Sequence, residues 1–572
     1  MFSLIRYAKK YKKQIILGPF FKFLEAVFEL FLPLLMAVMV DEGILKNDWS
    51  KVLQMTFWMI ILSIAGLVAA IVCQYYASIA SQGFGTEIRN ELMKKINKLS
   101  YKEINEFGTD TLITRMTNDI NQLQLAMAMF IRLVIRAPFL SIGSVVMAFY
   151  IDFQIGLIFL ALLPIFCVLL YFIIKKSIPL YAKVQAKLDR LNELVNQNLS
   201  GVRVIRAFAR RDTEKKNFNE ATDDLSKEYL RVTNISALLS PATTLIMNIG
   251  VVAVFYIGGY KVNIGNLQQG QVLALVNYMN QMLLALIVVS ELVVIFTRAY
   301  ASNNRIEEVL ATDISVKEAS NAKDASGEGD IEFDHVNFRF SDDYGLALED
   351  ISFKLPAGQT LGIIGPTASG KTTLTQLISR FYDVSDGSVK VNGLDVRDWK
   401  LHDLRKETSI APQKAVLFSG TVRENLQWGK ANASDQECIE ALEIAQALDF
   451  VEALPDKLDT EIFEGGKNFS GGQKQRLAIA RAVIAKSNIL ILDDSLSALD
   501  YQTDLQLRTA LKRIDSTLII ISQRLKSIED ADQILVLDNG RMAGLGTHEE
   551  LIRTCKLYQE IAKSQEEEED EE

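Results

Sequence analysis

Hydrophobic positions in the first half of the chain fall into six runs, near 20–40, 54–80, 127–149, 153–175, 237–259 and 270–297. Each is long enough to cross a bilayer as a helix, which takes about 20 residues. Two polar stretches, near 81–126 and 176–236, keep helical spacing and lack glycine or proline clusters, which predicts continuous helices rising well out of the membrane. Such projections serve either as a mechanical coupling device or as a solvated spacer. The pattern changes near residue 311, where Ala311 to Asp330 is polar and rich in small residues, as a linker is. Beyond it, short β-branched runs such as Thr360–Gly365, Ile489–Asp493 and Leu518–Ser522 alternate with amphipathic stretches, an α/β pattern. The predicted fold class is multi-domain. An all-α membrane domain with six spans occupies 1–310, a linker 311–330, an α/β domain 331–565 and an acidic tail 566–572.

Composition agrees with two unlike parts in one chain. Hydrophobic residues make up 49% of the 572 residues and charged residues 23%, and the mean hydropathy is +0.15. The net charge of −9 argues against nucleic acid as a partner. The run Glu566 to Glu572 reads as a solvated, disordered tail. Cations cluster before the first run (Lys9, Lys10, Lys12, Lys13), after the second (Arg89, Lys94, Lys95, Lys98) and after the fourth (Lys175, Lys176, Arg203, Arg206), while the other loops carry few. The positive-inside rule then puts both termini and the α/β domain in the cytoplasm, below a plasma membrane crossed six times. Cys73, Cys167, Cys438 and Cys555 show no paired or metal-like spacing and read as free thiols. No cleavable signal peptide is evident. Glu25, Glu29 and Glu291 fall in or beside spans, where carboxylates must face protein or water. They either line a cavity suited to cationic amphiphiles, pair with Lys22 or Arg298, or sit at the interface. Pro33, Pro138, Pro164 and Pro241 read as helix kinks.

Gly365-Pro366-Thr367-Ala368-Ser369-Gly370-Lys371-Thr372 carries the chemistry. It matches GxxxxGK[ST] and lies between an apolar strand and a helix, the context a phosphate-binding loop requires. Its glycines let backbone N–H groups turn toward phosphates. Lys371 supplies charge to the terminal phosphates, and the Thr372 hydroxyl can ligate Mg²⁺. Thr373 follows as a further nucleotide-side residue. The apolar Ile489–Leu492 run ends in Asp493, the carboxylate expected on the Mg²⁺ side. ATP and Mg²⁺ are the implied ligands.

Phe469 followed by Ser470-Gly471-Gly472-Gln473 resembles the signature motif of the ABC transporter superfamily, about 20 residues before Asp493. Other elements match in order. Gln413 resembles the Q-loop that senses Mg²⁺, Ser497 to Asp500 the D-loop, and Phe340 the adenine-stacking aromatic. In the membrane half, Phe107 to Asp119 and Gly201 to Phe208 resemble the two cytoplasmic coupling regions of multidrug-type exporters, and Ala301 to Ile306 the exit from the sixth span. The resemblance implies a half-transporter of the type IV exporter kind. Its projections are then coupling devices, and the signature closes on ATP held by a second subunit. The implied cargo is hydrophobic or amphipathic, drug-like or lipid-like.

Two positions depart from that family pattern. The residue after Asp493 is Asp494 where the family carries Glu, and the place of the switch histidine is held by Gln523. Asp is one methylene shorter than Glu, and Gln cannot hold a positive charge. Both concern hydrolysis, so Asp494, Gln523 and Gln413 are the candidate catalytic set of a slow site, beside an intact Ser470–Gln473. This resembles the degenerate-site subunit of a bacterial heterodimeric exporter. A homodimer with two slow sites is the other arrangement. A regulatory subunit or an ATP-gated channel, with nucleotide acting only as a switch, is the alternative function.

Overall fold

The computed structural model describes residues 4–319, 322–323, 327–341 and 343–570, the side chains of 290 and 566–570 excepted. The chain divides into two compact units, one of Met1–Asn97 with Thr109–Thr312 and one of Lys98–Gly108 with Asp313–Glu572.

Among its described residues the first unit contains six helical stretches long and apolar enough to cross a membrane: Leu4–Ile44, Trp49–Ile96, Thr109–Ile151, Phe153–Ser200, Arg211–Asn263 and Gln269–Ala311. All six runs read from the sequence lie inside them. Asp48 and Asp152 start the second and fourth by accepting hydrogen bonds from Lys51 N (3.1 Å) and Ile155 N (3.0 Å), as side-chain N-caps do. Large apolar side chains such as Trp49, Leu67 and Phe172 point outward. That inversion is expected where the surrounding solvent is lipid. The unit's core packs Ala26, Leu30, Phe159, Phe166, Tyr278 and Met279, and the buried Tyr278 hydroxyl donates to Leu30 O at 2.6 Å.

Three expectations change. The polar stretches are not continuous helices. The first is broken between Ile96 and Tyr101 and again at Gly108, whose φ of +75° suits glycine and ends helix Tyr101–Phe107. The second is broken at Gly201 and after Ala207, leaving a short helix Val202–Ala207 before Arg211–Ala237. Single glycines stand at two of these breaks, and the other two, at 97–100 and 208–210, contain none. The acidic run is not coil: the backbone continues helix Lys556–Asp570 through it, in keeping with the helix propensity of glutamate. Residues 571–572 lie outside the described residues. The third change concerns the intramembrane carboxylates. Lys22 meets Glu25 at 2.7 Å, one of the pairings expected, while Arg136, which was not among them, reaches Glu29 at 2.8 Å and Glu25 at 3.9 Å. Glu291 is exposed.

The second unit is α/β. A six-stranded sheet runs in the order β12 (Arg541–Gly546), β11 (Gln533–Asp538), β3 (Thr360–Ile364), β10 (Thr517–Ile521), β9 (Ile489–Asp493), β6 (Thr408–Ala411), parallel except for β12. Its central strands are apolar on both faces, as buried parallel strands are. In β9, Ile489 and Ile491 join one hydrophobic core while Leu490 and Leu492 join the other. The first of these cores also takes the antiparallel sheet formed by β2 (Leu348–Leu355), β1 (Ile331–Phe338), β4 (Asp386–Val391) and β5 (Leu394–Asp395), where Phe333 stacks on Phe353 at 4.7 Å. A short pair, β7 (Gly420–Thr421) with β8 (Glu461–Ile462), stands apart.

Segment Lys98–Gly108 belongs to this second unit. Tyr101 stacks on Phe381 with ring centroids 4.4 Å apart, and Asn105 Nδ2 donates to the Tyr382 hydroxyl at 3.1 Å. The polar stretch after residue 311 is pinned to the same surface. Ser315 N donates to Glu103, Val316 N to Ser100 Oγ, and Lys323 N to Asp398 O.

Candidate functional site

Strands β3, β9 and β10 end side by side, with Ile521 paired to both Asp493 and Ile363. Ligands of parallel sheets bind in the crevice beyond such carboxyl ends. Here the chain leaves β3 through Gly365, leaves β9 through Asp494 and leaves β10 through Ser522 and Gln523. These exits meet in a cleft of about 500 Å³ lined by Phe340, Thr367–Thr373, Gln413, Asp494, Gln523, Asn539 and Gly540.

The loop from Gly365 to Gly370 opens helix Lys371–Ile378. Two glycines are dictated by space. A Cβ at Gly365 would stand 2.1 Å from Leu537 O, and one at Gly370, where φ is +99°, would stand 2.7 Å from Leu348 Cδ2. Gly365→Ala is therefore expected to destabilise the second unit by about 1–3 kcal/mol, because backbone rather than a movable side chain must give way. A melting curve of the purified protein that matched wild type would contradict this.

Lys371 Nζ is buried and donates to Gly365 O and Pro366 O, both at 2.7 Å. Burial pushes its pKa down, while the charges of Asp494 and Asp493 push it back up. Thr372 Oγ1 donates to Asp493 Oδ1 at 2.9 Å. Burial raises the carboxyl pKa of Asp493, opposed by that hydrogen bond and reinforced by the charge of Asp494.

Asp494 is the meeting point of the hydrolytic candidates. Its Oδ2 accepts from Gln413 Nε2 at 3.0 Å and from Gln523 Nε2 at 3.2 Å. Its Oδ1 is buried with no hydrogen-bond partner, and its φ is +48°. Burial raises this carboxyl pKa too, with Gln413, Lys371, Gln523 and Ser497 opposing. Ser369 Oγ, in the loop, is likewise buried and unpartnered. A buried acceptor, a buried donor and a buried ammonium around one cleft fit a polyanion with its cation. Among the described residues there is no cluster of three or more His, Cys, Asp or Glu side chains that could hold a metal ion. A Mg²⁺ ion held by Thr372, Asp493 and Gln413 would therefore share phosphate oxygens, as Mg²⁺ commonly does.

Phe340, at the cleft's other end, is 43% exposed, so a ring face is free. Tyr382 and Phe338 hold it edge-on, at centroid distances of 5.4 and 4.9 Å.

Not every expected residue enters the cleft. Ser470 caps helix Gly471–Val483, its Oγ accepting from Gln473 N at 3.3 Å while Gln473 Oε1 accepts from Ser470 N at 2.9 Å. Ser470 and Gly471 are exposed and do not line the cleft. Asp500 is exposed as well and caps helix Tyr501–Leu511 through Thr503 N. Asn539 and Gly540, by contrast, are cleft residues that the motifs did not mark. Gly540 N donates to Ser369 O at 3.1 Å and bolts the β11–β12 turn to the phosphate loop. The Asn-Gly pair between two apolar runs is the hairpin signal that would have found this turn.

Comparison with known proteins agrees with this geometry. Residues 15–286 match the family model described as ABC transporter transmembrane region, and residues 348–497 the model described as ABC transporter. An uncharacterized ABC transporter ATP-binding protein of Bacillus subtilis is 37% identical over 95% of this chain and 94% of its own length. One from Mycobacterium tuberculosis is 36% identical over 99% and 98%. The structure of a bacterial Atm1-family ABC exporter with ATP bound is similar in fold, with a TM-score of 0.80 at 24% identity over 97% of this chain and 99% of that one.

Proposed function

Since the chain belongs to the ABC transporter family, a multi-pass membrane protein with an ATPase domain, we propose that it is one half of an ATP-driven exporter whose own ATP site is degenerate. The phosphate loop Gly365–Thr373 holds ATP. Lys371 faces the terminal phosphates, Phe340 stacks on the adenine, and Thr372, Asp493 and Gln413 hold Mg²⁺. Both termini and the ATP domain lie in the cytoplasm, beneath the plasma membrane.

One observation carries the degenerate reading: Asp494 Oδ2 is shared by the amides of Gln413 and Gln523. Two neutral donors tether this carboxylate, and its side chain is one methylene shorter than the Glu that the family carries, which sets it back from an attacking water. Gln523 can hold a γ-phosphate by hydrogen bonding but adds no charge. ATP is therefore held firmly and cleaved slowly. The cap Ser470–Gln473, whose first two residues are exposed and which lies outside its own chain's cleft, supports a role across an interface. It completes a competent site on a second half-transporter, where its helix N-terminus meets the phosphates. Closure of the paired ATP domains moves the coupling segments and turns the membrane cavity outward, releasing a hydrophobic or amphipathic cargo.

The reading is tested by purifying the tagged chain from its native membrane and determining the mass and composition of the complex. A second half-transporter in one-to-one ratio, with Glu and His at the positions matching Asp494 and Gln523, is the expected result. A complex of this chain alone would overturn the heterodimer.

A further inference from the structure

The last helix, Lys556–Asp570, is anchored in the core of the second unit by buried Tyr558 and Ala562, with Leu557 and Ile561 packed beside them. The Tyr558 hydroxyl and His548 Nδ1 are hydrogen-bonded at 2.8 Å. Near its end, Gln565 extends its carboxamide to the segment that follows β10. Gln565 Oε1 accepts from Leu525 N at 2.7 Å, and Gln565 Nε2 donates to Gln523 O at 2.6 Å. One side chain thus satisfies the backbone groups on both sides of Arg524, the service a neighbouring strand would give. Arg524 spans onward, its Nη1 donating to Leu499 O at 3.2 Å.

The fit is specific to glutamine. Glutamate at 565 would accept from Leu525 N but could not donate to the Gln523 carbonyl, and alanine would make neither bond. The bracketed peptide is the one that carries the Gln523 side chain to Asp494 Oδ2. The motifs gave no reason to single out Gln565, which is 42 residues from Gln523 and outside the cleft.

We infer that Gln565 is a positioning residue: the C-terminal helix fixes the backbone of Gln523 through it and so governs how firmly nucleotide is held at this chain's own site. This rests on the reading of Gln523 and Asp494 as the phosphate end of that site. A substitution at Gln565 then acts only through Gln523, which a general loss of stability would not.

The test uses the assembled transporter and 8-azido-ATP, which labels the chain whose aromatic platform holds the base. After loading, a timed chase with unlabelled ATP precedes illumination, and the fraction of this chain still labelled gives its release rate. Gln523→Ala and Gln565→Ala are each expected to speed release about three- to tenfold, the scale of one or two lost hydrogen bonds. The double variant is expected to release no faster than Gln523→Ala alone. Gln565→Glu, which keeps the size of the side chain and one of its bonds, is expected to shift release in the same direction and decides the matter if the alanine variant does not assemble. If the Gln565 effect is just as large on top of Gln523→Ala, or if neither Gln565 variant changes release while Gln523→Ala does, the inference fails and the site reading stands. If Gln523→Ala itself leaves release unchanged, the underlying reading of the site fails, and the inference with it.

Discussion

Lys371→Ala is expected to lower ATP affinity at this chain's own site about 10²-fold, the scale of losing hydrogen bonds from a charged donor to an anion. The lysine is held in place for that contact. Its ammonium is buried and tethered by two loop carbonyls at 2.7 Å, so it already occupies the mouth of the phosphate loop. Carbonyl oxygens solvate the ammonium but do not neutralise it, and a phosphate would. Titration of the purified transporter with a fluorescent ATP analogue measures the effect, and an unchanged affinity would contradict it. The loss also separates the two assemblies considered above. In a heterodimer the partner's site keeps its own lysine and this chain's Ser470–Gln473, so part of the ATPase activity persists. In a homodimer every site is struck and activity disappears.

The second large effect concerns gain of function. At this chain's own site, Asp494→Glu alone is expected to change ATP turnover by less than about threefold, and Asp494→Glu with Gln523→His to raise it about 30-fold or more. Displacement of a catalytic group by about 1 Å costs on the order of 10²-fold, so restoring length should recover much of that. Length is not enough, because Gln523 still donates to this carboxylate and cannot carry a positive charge at the phosphate. Removing that amide and supplying a ring that can carry charge frees the carboxylate and completes the phosphate contact. Phosphate release by the purified transporter, with the partner's site disabled at its own phosphate-loop lysine and measured for each single variant and for the pair, is the check. A fully active Asp494→Glu would show that Gln523 is no obstacle.

Much of this was legible before any coordinates. Six spans are readable because a bilayer imposes one length and one polarity on each. The cleft was readable where one backbone geometry serves the ligand, as in Gly365–Thr372, and at Asp493, which ends an apolar strand. The hydrogen bonds that join Gln413, Asp494 and Gln523 were not readable, since they depend on how three strand ends align. Asn539 and Gly540 were missed because they serve the cleft through a hairpin, which leaves no ligand signature. The breaks at Gly108 and Gly201 were missed because each is marked by a single glycine, and one glycine among helix formers carries little weight. Lys22 is an expected partner of the intramembrane carboxylates and holds Glu25, but Arg136, which holds Glu29, was not foreseen. Pairing between spans follows packing, which periodicity does not report.

The membership of Lys98–Gly108 in the second unit bears on the order in which the chain is made. Asn105 leaves the ribosome 277 residues before the tyrosine whose hydroxyl it will bind. At about 5–20 residues per second, that interval is on the order of 15–60 s. Throughout it Tyr101 waits without the ring of Phe381, and the remaining four spans are synthesised in the meantime. The contacts that Lys98–Gly108 makes with Phe381 and Tyr382 therefore form only after the stretch that carries both rings has been made. They require a segment delivered from between the second and third spans to lie on the same side of the membrane as that stretch, so this docking depends on how the spans before it were threaded.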